Sequence, residues 1–102
     1  MQISQINSDA QNKTTLKVVG RLDTLTSSDF QAQTLPFITE EKPNLTLDLG
    51  SVDYISSSGL RGLILAIKKA KPLGGIVELR SVQPDIKQIF DIAGFTTLFT
   101  FS

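Results

Sequence analysis

Three consecutive hydroxyls stand in the run Asp53-Tyr54-Ile55-Ser56-Ser57-Ser58-Gly59-Leu60, where the apolar spacing begins to read as a helix. One serine suffices to cap a helix N-terminus, because its oxygen accepts from a first-turn N–H that has no partner within the helix. That role accounts for Ser56 or Ser58 taken alone. It does not account for the whole run, since consecutive serines otherwise initiate helices poorly. The unpaired N–H groups and the positive end of the helix dipole favour an anion, so a phosphate, bound or attached to a serine oxygen, fits this turn. Attachment would add about −1.5 to −2 charges at neutral pH. At a helix N-terminus such a charge leaves the fold standing, and its effect falls on whatever docks there.

Nucleophilic catalysis by the same serines lacks a base. The sequence has no histidine and no cysteine, which removes Ser-His-Asp and Cys-His chemistry, thiolate and imidazole metal sites, and disulfides. Lys68 lies on the same helix as Ser57 but roughly 16 Å along it at 1.5 Å per residue, too far to activate it. Asp48, on the alternate face of a strand, and Asp53, in a polar loop, read as solvated or capping carboxylates rather than an acid–base pair. Neither P-loop lysine spacing nor Gly-x-Gly-x-x-Gly occurs. No catalytic residue, metal or cofactor is expected, and the protein is not expected to be an enzyme.

The elements that must position the serines alternate in type. Gln2–Asn7 is expected to pair as a hairpin, across the polar stretch 8–13, with a β-branched strand Thr14–Val19 closed by Gly20. Thr26, with Asp29 three residues later, offers a cap for a helix lined by Phe30, Leu35, Phe37 and Ile38, and Pro36 should kink or break it near Leu35. Leu45-Thr46-Leu47-Asp48-Leu49 alternates strictly and ends at Gly50, a strand. Leu60, Leu63, Ile64 and Ile67 then recur at the spacing of one buried helix face, with Lys68, Lys69 and Lys71 in the last turn and Pro72 and Gly74-Gly75 as the stop. Ile76–Arg80 reads as a strand. Pro84 and Asp85 open a helix with Ile86, Ile89, Phe90 and Ala93 inward and Gly94 as its cap. Thr97–Phe101 closes as a short strand, its Phe99 and Phe101 read as core. The order ββαβαβαβ predicts an α/β domain: a mixed sheet of about five strands, right-handed crossovers and three main helices packed against it. In such sheets the crevice lies beyond the carboxyl ends of the strands, where the loop Gly50–Ser56 should fall.

At 102 residues and 11.1 kDa, with 40% apolar residues, the chain fits one domain spanning 1–102. Ten basic and ten acidic residues cancel, so no overall positive field exists to attract nucleic acid. Residues 1–60 are net acidic by three and residues 61–102 net basic by three. That division is either a solvated surface or a weak dipole that orients a partner. No apolar run reaches the roughly 18–20 residues of a membrane span, and Met1-Gln2-Ile3-Ser4 lacks the basic start of a signal peptide, so a cytoplasmic protein without membrane insertion is expected.

Gly20-Arg21-Leu22-Asp23, Leu45–Leu49 and Ser56-Ser57-Ser58-Gly59-Leu60-Arg61-Gly62-Leu63 resemble the corresponding segments of the anti-sigma factor antagonists, which are single STAS domains. Pro84–Phe95 is similar to that family's last helix and turn, so the resemblance covers the chain from about Lys13 onward. It implies a partner switch. Unphosphorylated members bind an anti-sigma factor that is also a serine kinase and so free the sigma factor; phosphorylation of a serine releases the complex, and a serine phosphatase resets it. The family's acceptor falls on Ser57. Many members carry aspartate where this chain has Ser56, which makes Ser56 a rival acceptor. The family aspartate of the Gly-x-Leu-Asp loop falls on Asp23, otherwise a turn residue. The partner face would then comprise Ser56, Ser58, Gly59 and Leu60 around the acceptor, with Asp23, Leu25, Arg61 and Gly62; Arg61 also reads as an ordinary solvated side chain. Other STAS domains serve as accessory subunits of ABC-type lipid transport systems or as parts of stress-signalling scaffolds, the alternative function for this chain.

Overall fold

Side chains alternate across a strand, so the register of the sheet sorts residues into rows. The computed structural model, which describes residues 1–6 and 12–102, has strands β1 (Gln2–Ile6), β2 (Lys13–Leu22), β3 (Asn44–Ile55), β4 (Val77–Arg80) and β5 (Thr100–Phe101). They form one five-stranded sheet in chain order, with β1 antiparallel to β2 and the other neighbours parallel. Leu16, Leu47, Leu79 and Phe101 stand in one row, and Thr15, Thr46, Glu78 and Thr100 in the next. The apolar row joins a single core with Leu63 and Ala66 of helix α2 (Ser57–Ala70), Phe30 of α1 (Ser27–Thr34) and Phe90 of α3 (Pro84–Ala93). In the polar row Glu78 accepts from the Thr46 hydroxyl at 2.9 Å and lies 3.7 Å from the Lys13 ammonium. Hydrogen bonds from Ser102 and then Thr46, with the charges of Lys13 and Arg80, hold its carboxyl below the usual range against the opposing effect of burial.

The fold class is the expected one: a mixed sheet with three helices in the order ββαβαβαβ. The hairpin pairing of the first two strands is present; the expected end of β1 at Asn7 and the polar stretch 8–11 lie outside the described residues. Several boundaries differ. β2 runs through Gly20 to Leu22, because Gly20, at φ 123°, sits among register shifts that bend the strand without ending it. β3 likewise passes Gly50 and continues to Ile55, paired with that bulged part of β2. The expected polar loop Gly50–Ser56 is therefore strand up to Ile55, and Asp53 is an exposed strand residue.

The helix after β2 breaks where Pro36 requires: α1 ends at Thr34 and Leu35–Phe37 form a single tighter turn. Thr26 does not cap it with its side chain; that hydroxyl is occupied in the preceding turn, described below. In α3, Ile86 and Phe90 are buried and Ile89 packs at their edge, but Ala93 is exposed. It falls in the last turn, past the two residues that reach the core, just before Gly94 caps the helix in the left-handed conformation. The final strand shrinks to two residues. Phe99 and Phe101 both lie against Phe90, with ring centres 5.5 and 5.6 Å away, and so serve the core as expected.

Candidate functional site

β2 and β3 end side by side, with Leu22 paired to Ile55, and α1 and α2 both start from this carboxyl edge. The join is tight. The Ser56 N–H donates to the Leu22 carbonyl at 2.9 Å, and Ser56 itself is extended (φ −96°, ψ 175°) as an N-cap should be. Its hydroxyl oxygen accepts from the Gly59 N–H at 3.2 Å. A Cβ on Gly59 would stand 2.4 Å from the Leu22 carbonyl oxygen, so only glycine lets α2 start this close to β2.

The three serines separate by role. Ser56 is the cap. Ser58 faces the neighbouring elements: its carbonyl accepts from the buried Ser27 hydroxyl at 2.9 Å, and its hydroxyl oxygen accepts from Thr24 at 3.4 Å. Ser57 is exposed in the first helical turn, and its hydroxyl makes no hydrogen bond to any described residue.

Asp23 organises the turn opposite. Its Oδ1 accepts from the N–H groups of Leu25 (3.0 Å) and Thr26 (3.1 Å), while the Thr26 hydroxyl accepts from the Asp23 N–H at 2.9 Å and gives its one proton to the Arg21 carbonyl at 2.6 Å. Burial pushes the Asp23 carboxyl up, but the bonds from Thr26, Leu25 and Arg21 together outweigh it and bring the net value below the ordinary one. Asp23 is thus a turn residue: its carbonyl accepts from the Ser27 N–H at 2.9 Å, and its carboxylate bonds within its own turn rather than to Ser56, Ser57 or Ser58, whereas Thr24, beside it, reaches Ser58. The turn holds Leu25 out to solvent, 91% exposed. Of the other expected contact residues, Arg61 is exposed and Leu60 is buried. Gly62 is buried too, under Phe30 and Ser27 of α1, so it acts by letting the helices approach and offers no contact surface.

Sequence reasoning missed Thr24, Tyr54, Ile92 and Ala93. A shallow depression of about 540 Å³ runs from Thr24, Tyr54 and the serines to Ile89, Ile92 and Ala93 of α3. A second, of about 260 Å³, lies on the other side of Ser57, between Arg61, Ile64, Ala93 and Phe95. Ile92 is 86% and Tyr54 41% exposed, and the Arg21 guanidinium lies 4.4 Å from the Tyr54 ring centre. Ile92 was detectable as an isoleucine off the Ile86–Phe90 stripe of its helix; Tyr54 was hidden by the misplaced end of β3.

Among the described residues no group of His, Cys, Asp and Glu could hold a metal, and no helix is long and apolar enough to cross a membrane. On this small α/β domain an unpartnered hydroxyl at a helix start thus lies between two open, largely apolar depressions. The comparisons with known proteins give it a family. The STAS domain model matches residues 3–102. A Bordetella bronchiseptica protein named as an anti-sigma factor antagonist, BtrV, is 30% identical over 80 residues, covering 78% of this chain and 69% of that one. Two solved structures share the fold: a protein from Thermotoga maritima named as an anti-sigma factor antagonist (TM-score 0.87, 16% identity, 97% of this chain and 84% of that one), and the anti-sigma factor antagonist SpoIIAA in its unphosphorylated form (TM-score 0.80, 13% identity, 99% and 88%). The chain belongs to the STAS domain family and, within it, to the anti-sigma factor antagonists.

Proposed function

We propose that this chain is a phosphorylation-controlled antagonist: with Ser57 free it binds an anti-sigma factor that is also a serine kinase, so releasing a sigma factor in the cytoplasm. Phosphorylation of Ser57 ends the complex and a serine phosphatase restores it. The observation that carries this reading is the division of labour among the serines. Ser57 alone is exposed with an uncommitted hydroxyl, whereas the rival Ser56 spends its oxygen on the cap. SpoIIAA, similar in fold, has also been solved in a phosphorylated form. The partner face around Ser57 takes in Leu25, Tyr54, Ile92 and Arg61, with Asp23 and Thr24 shaping the turn.

A phosphate introduced at such a face meets like charge or a desolvated partner surface. That costs several kcal/mol, enough to weaken binding about a hundredfold or more. The test is capture from host lysate followed by incubation with ATP and mapping of the phosphate by mass spectrometry. A kinase of the anti-sigma type retained by wild type and by Ser56→Ala but lost with Ser57→Asp, with phosphate on Ser57, is the expected result. Phosphate on Ser56, or an ABC-type transporter ATPase held equally by wild type and Ser57→Asp, overturns it.

A further inference from the structure

Ser57 shares its side of α2 with a second uncommitted group. Arg61 is exposed, and among the described residues it makes no hydrogen bond or ion pair. Residues four apart on a helix lie one above the other, with Cβ atoms about 5–6 Å apart. Ser57 and Arg61 line one depression, whose far wall is the uncharged Ala93 and Phe95. The first turn of α2 holds no acidic side chain to compete for the guanidinium. The other arginine at this edge of the sheet, Arg21, is already placed between Asp23 (3.5 Å) and the Tyr54 ring.

We propose that Arg61 is the internal receiver of the phosphate on Ser57: once that serine is modified, the guanidinium closes back over the first turn of α2 and grips the phosphate oxygens. The inference rests on the reading of Ser57 as acceptor. The order is the favourable one, with the anion one turn N-terminal to the cation. A guanidinium also matches phosphate oxygens in a two-pronged fashion that an ammonium does not. Arg61 discriminates between the rival serines, which the helix terminus by itself would not. Ser56 lies outside the helix in extended conformation, five positions away, with its oxygen turned to the Gly59 N–H. The consequence for the switch is double. Phosphorylation adds negative charge to the docking face and withdraws from it a positive side chain that the unmodified protein can offer a partner.

The test uses the full chain with phosphoserine inserted at position 57 during translation, titrated by phosphorus NMR. Free phosphoserine loses its second proton near pH 6. The expected result is that the midpoint with Arg61 present lies lower than in Arg61→Gln by about 0.3 of a pH unit, from the usual strength of such a helix pair. Arg61→Lys should recover part of the difference, and added salt should shrink it. Superimposable titrations of the three proteins overturn the proposal. So does an equal response to Arg61→Gln when the phosphoserine stands at position 56, which would make Arg61 a diffuse source of field. Because the phosphate is installed independently of any kinase, a failure of Ser57 as the natural acceptor shows in the lysate mapping and leaves this titration intact.

Discussion

Capping commits a serine's oxygen, and at Ser56 that oxygen is committed to the Gly59 N–H. Removing it leaves a half-buried donor unpaired at the start of the longest helix, for which the ordinary cost is about 1 kcal/mol. Ser57 carries no such duty, and an exposed substitution free of contacts stays within about 0.5 kcal/mol of wild type. Urea unfolding should therefore place Ser56→Ala below wild type by about 1 kcal/mol at unchanged m-value, with Ser57→Ala indistinguishable from wild type. Equal losses for the two would mean that Ser57 also supports the fold and is a poor candidate for a reversible modification. The same logic separates Asp23 from the serines: its carboxylate accepts from two N–H groups of its own turn and so shapes the loop that presents Leu25 and Thr24.

At the scale of elements, the contact between β2 and the start of α2 governs the geometry of the edge, and Gly59 is its closest point. A methyl there would overlap the Leu22 carbonyl oxygen at 2.4 Å, and that oxygen is already fixed by the Ser56 N–H. At Gly62 a methyl would meet Phe30 and Ser27 side chains at 3.3 and 3.4 Å, contacts that small shifts relieve. Gly59→Ala is expected to cost about 2–3 kcal/mol and Gly62→Ala about 1 kcal/mol or less, measured by the same unfolding experiment; the reverse ranking would show that the α1–α2 contact is the more rigid of the two. The apolar periodicities of β3 and α2 made both elements legible in the sequence, and the serine run could be placed at the edge because a strand and a helix flank it. What escaped was the bulge. Gly20 and Gly50 look like strand ends by residue type, yet the ladder continues past both because a bent β2 still finds partners in β3, and such pairing is tertiary information. Thr26 misled for a related reason: the hydroxyl that suits a helix cap was taken by the Asp23 turn, a local competition that residue types alone do not decide. Tyr54 and Ile92 then followed from the fold, since only the structure shows that the end of β3 and the last turn of α3 flank the same helix start.

Over the whole molecule, the core and the proposed phosphorylation site are separate. The buried set centres on the sheet and on Phe30, Leu63 and Phe90, while Ser57 and Arg61 stand on the exposed side of α2. A phosphate on Ser57 removes no buried contact. It meets first-turn N–H groups and the positive end of the dipole, an arrangement worth about 0.3–1 kcal/mol in its favour. For a chain of this size that corresponds to a rise in melting temperature of roughly 1–8 °C. The protein phosphorylated on Ser57 is therefore expected to melt no lower than the unmodified one, by calorimetry at low salt, while its affinity for the proposed kinase partner falls about a hundredfold or more. Stability and binding should part company, and adding salt should narrow the melting difference. A fall in melting temperature that parallels the loss of binding would show that phosphorylation acts by loosening the fold. On the proposed cycle, release by charge at the docking face would leave an intact module for a phosphatase to reset; release by unfolding would leave it exposed to proteolysis and demand refolding each time.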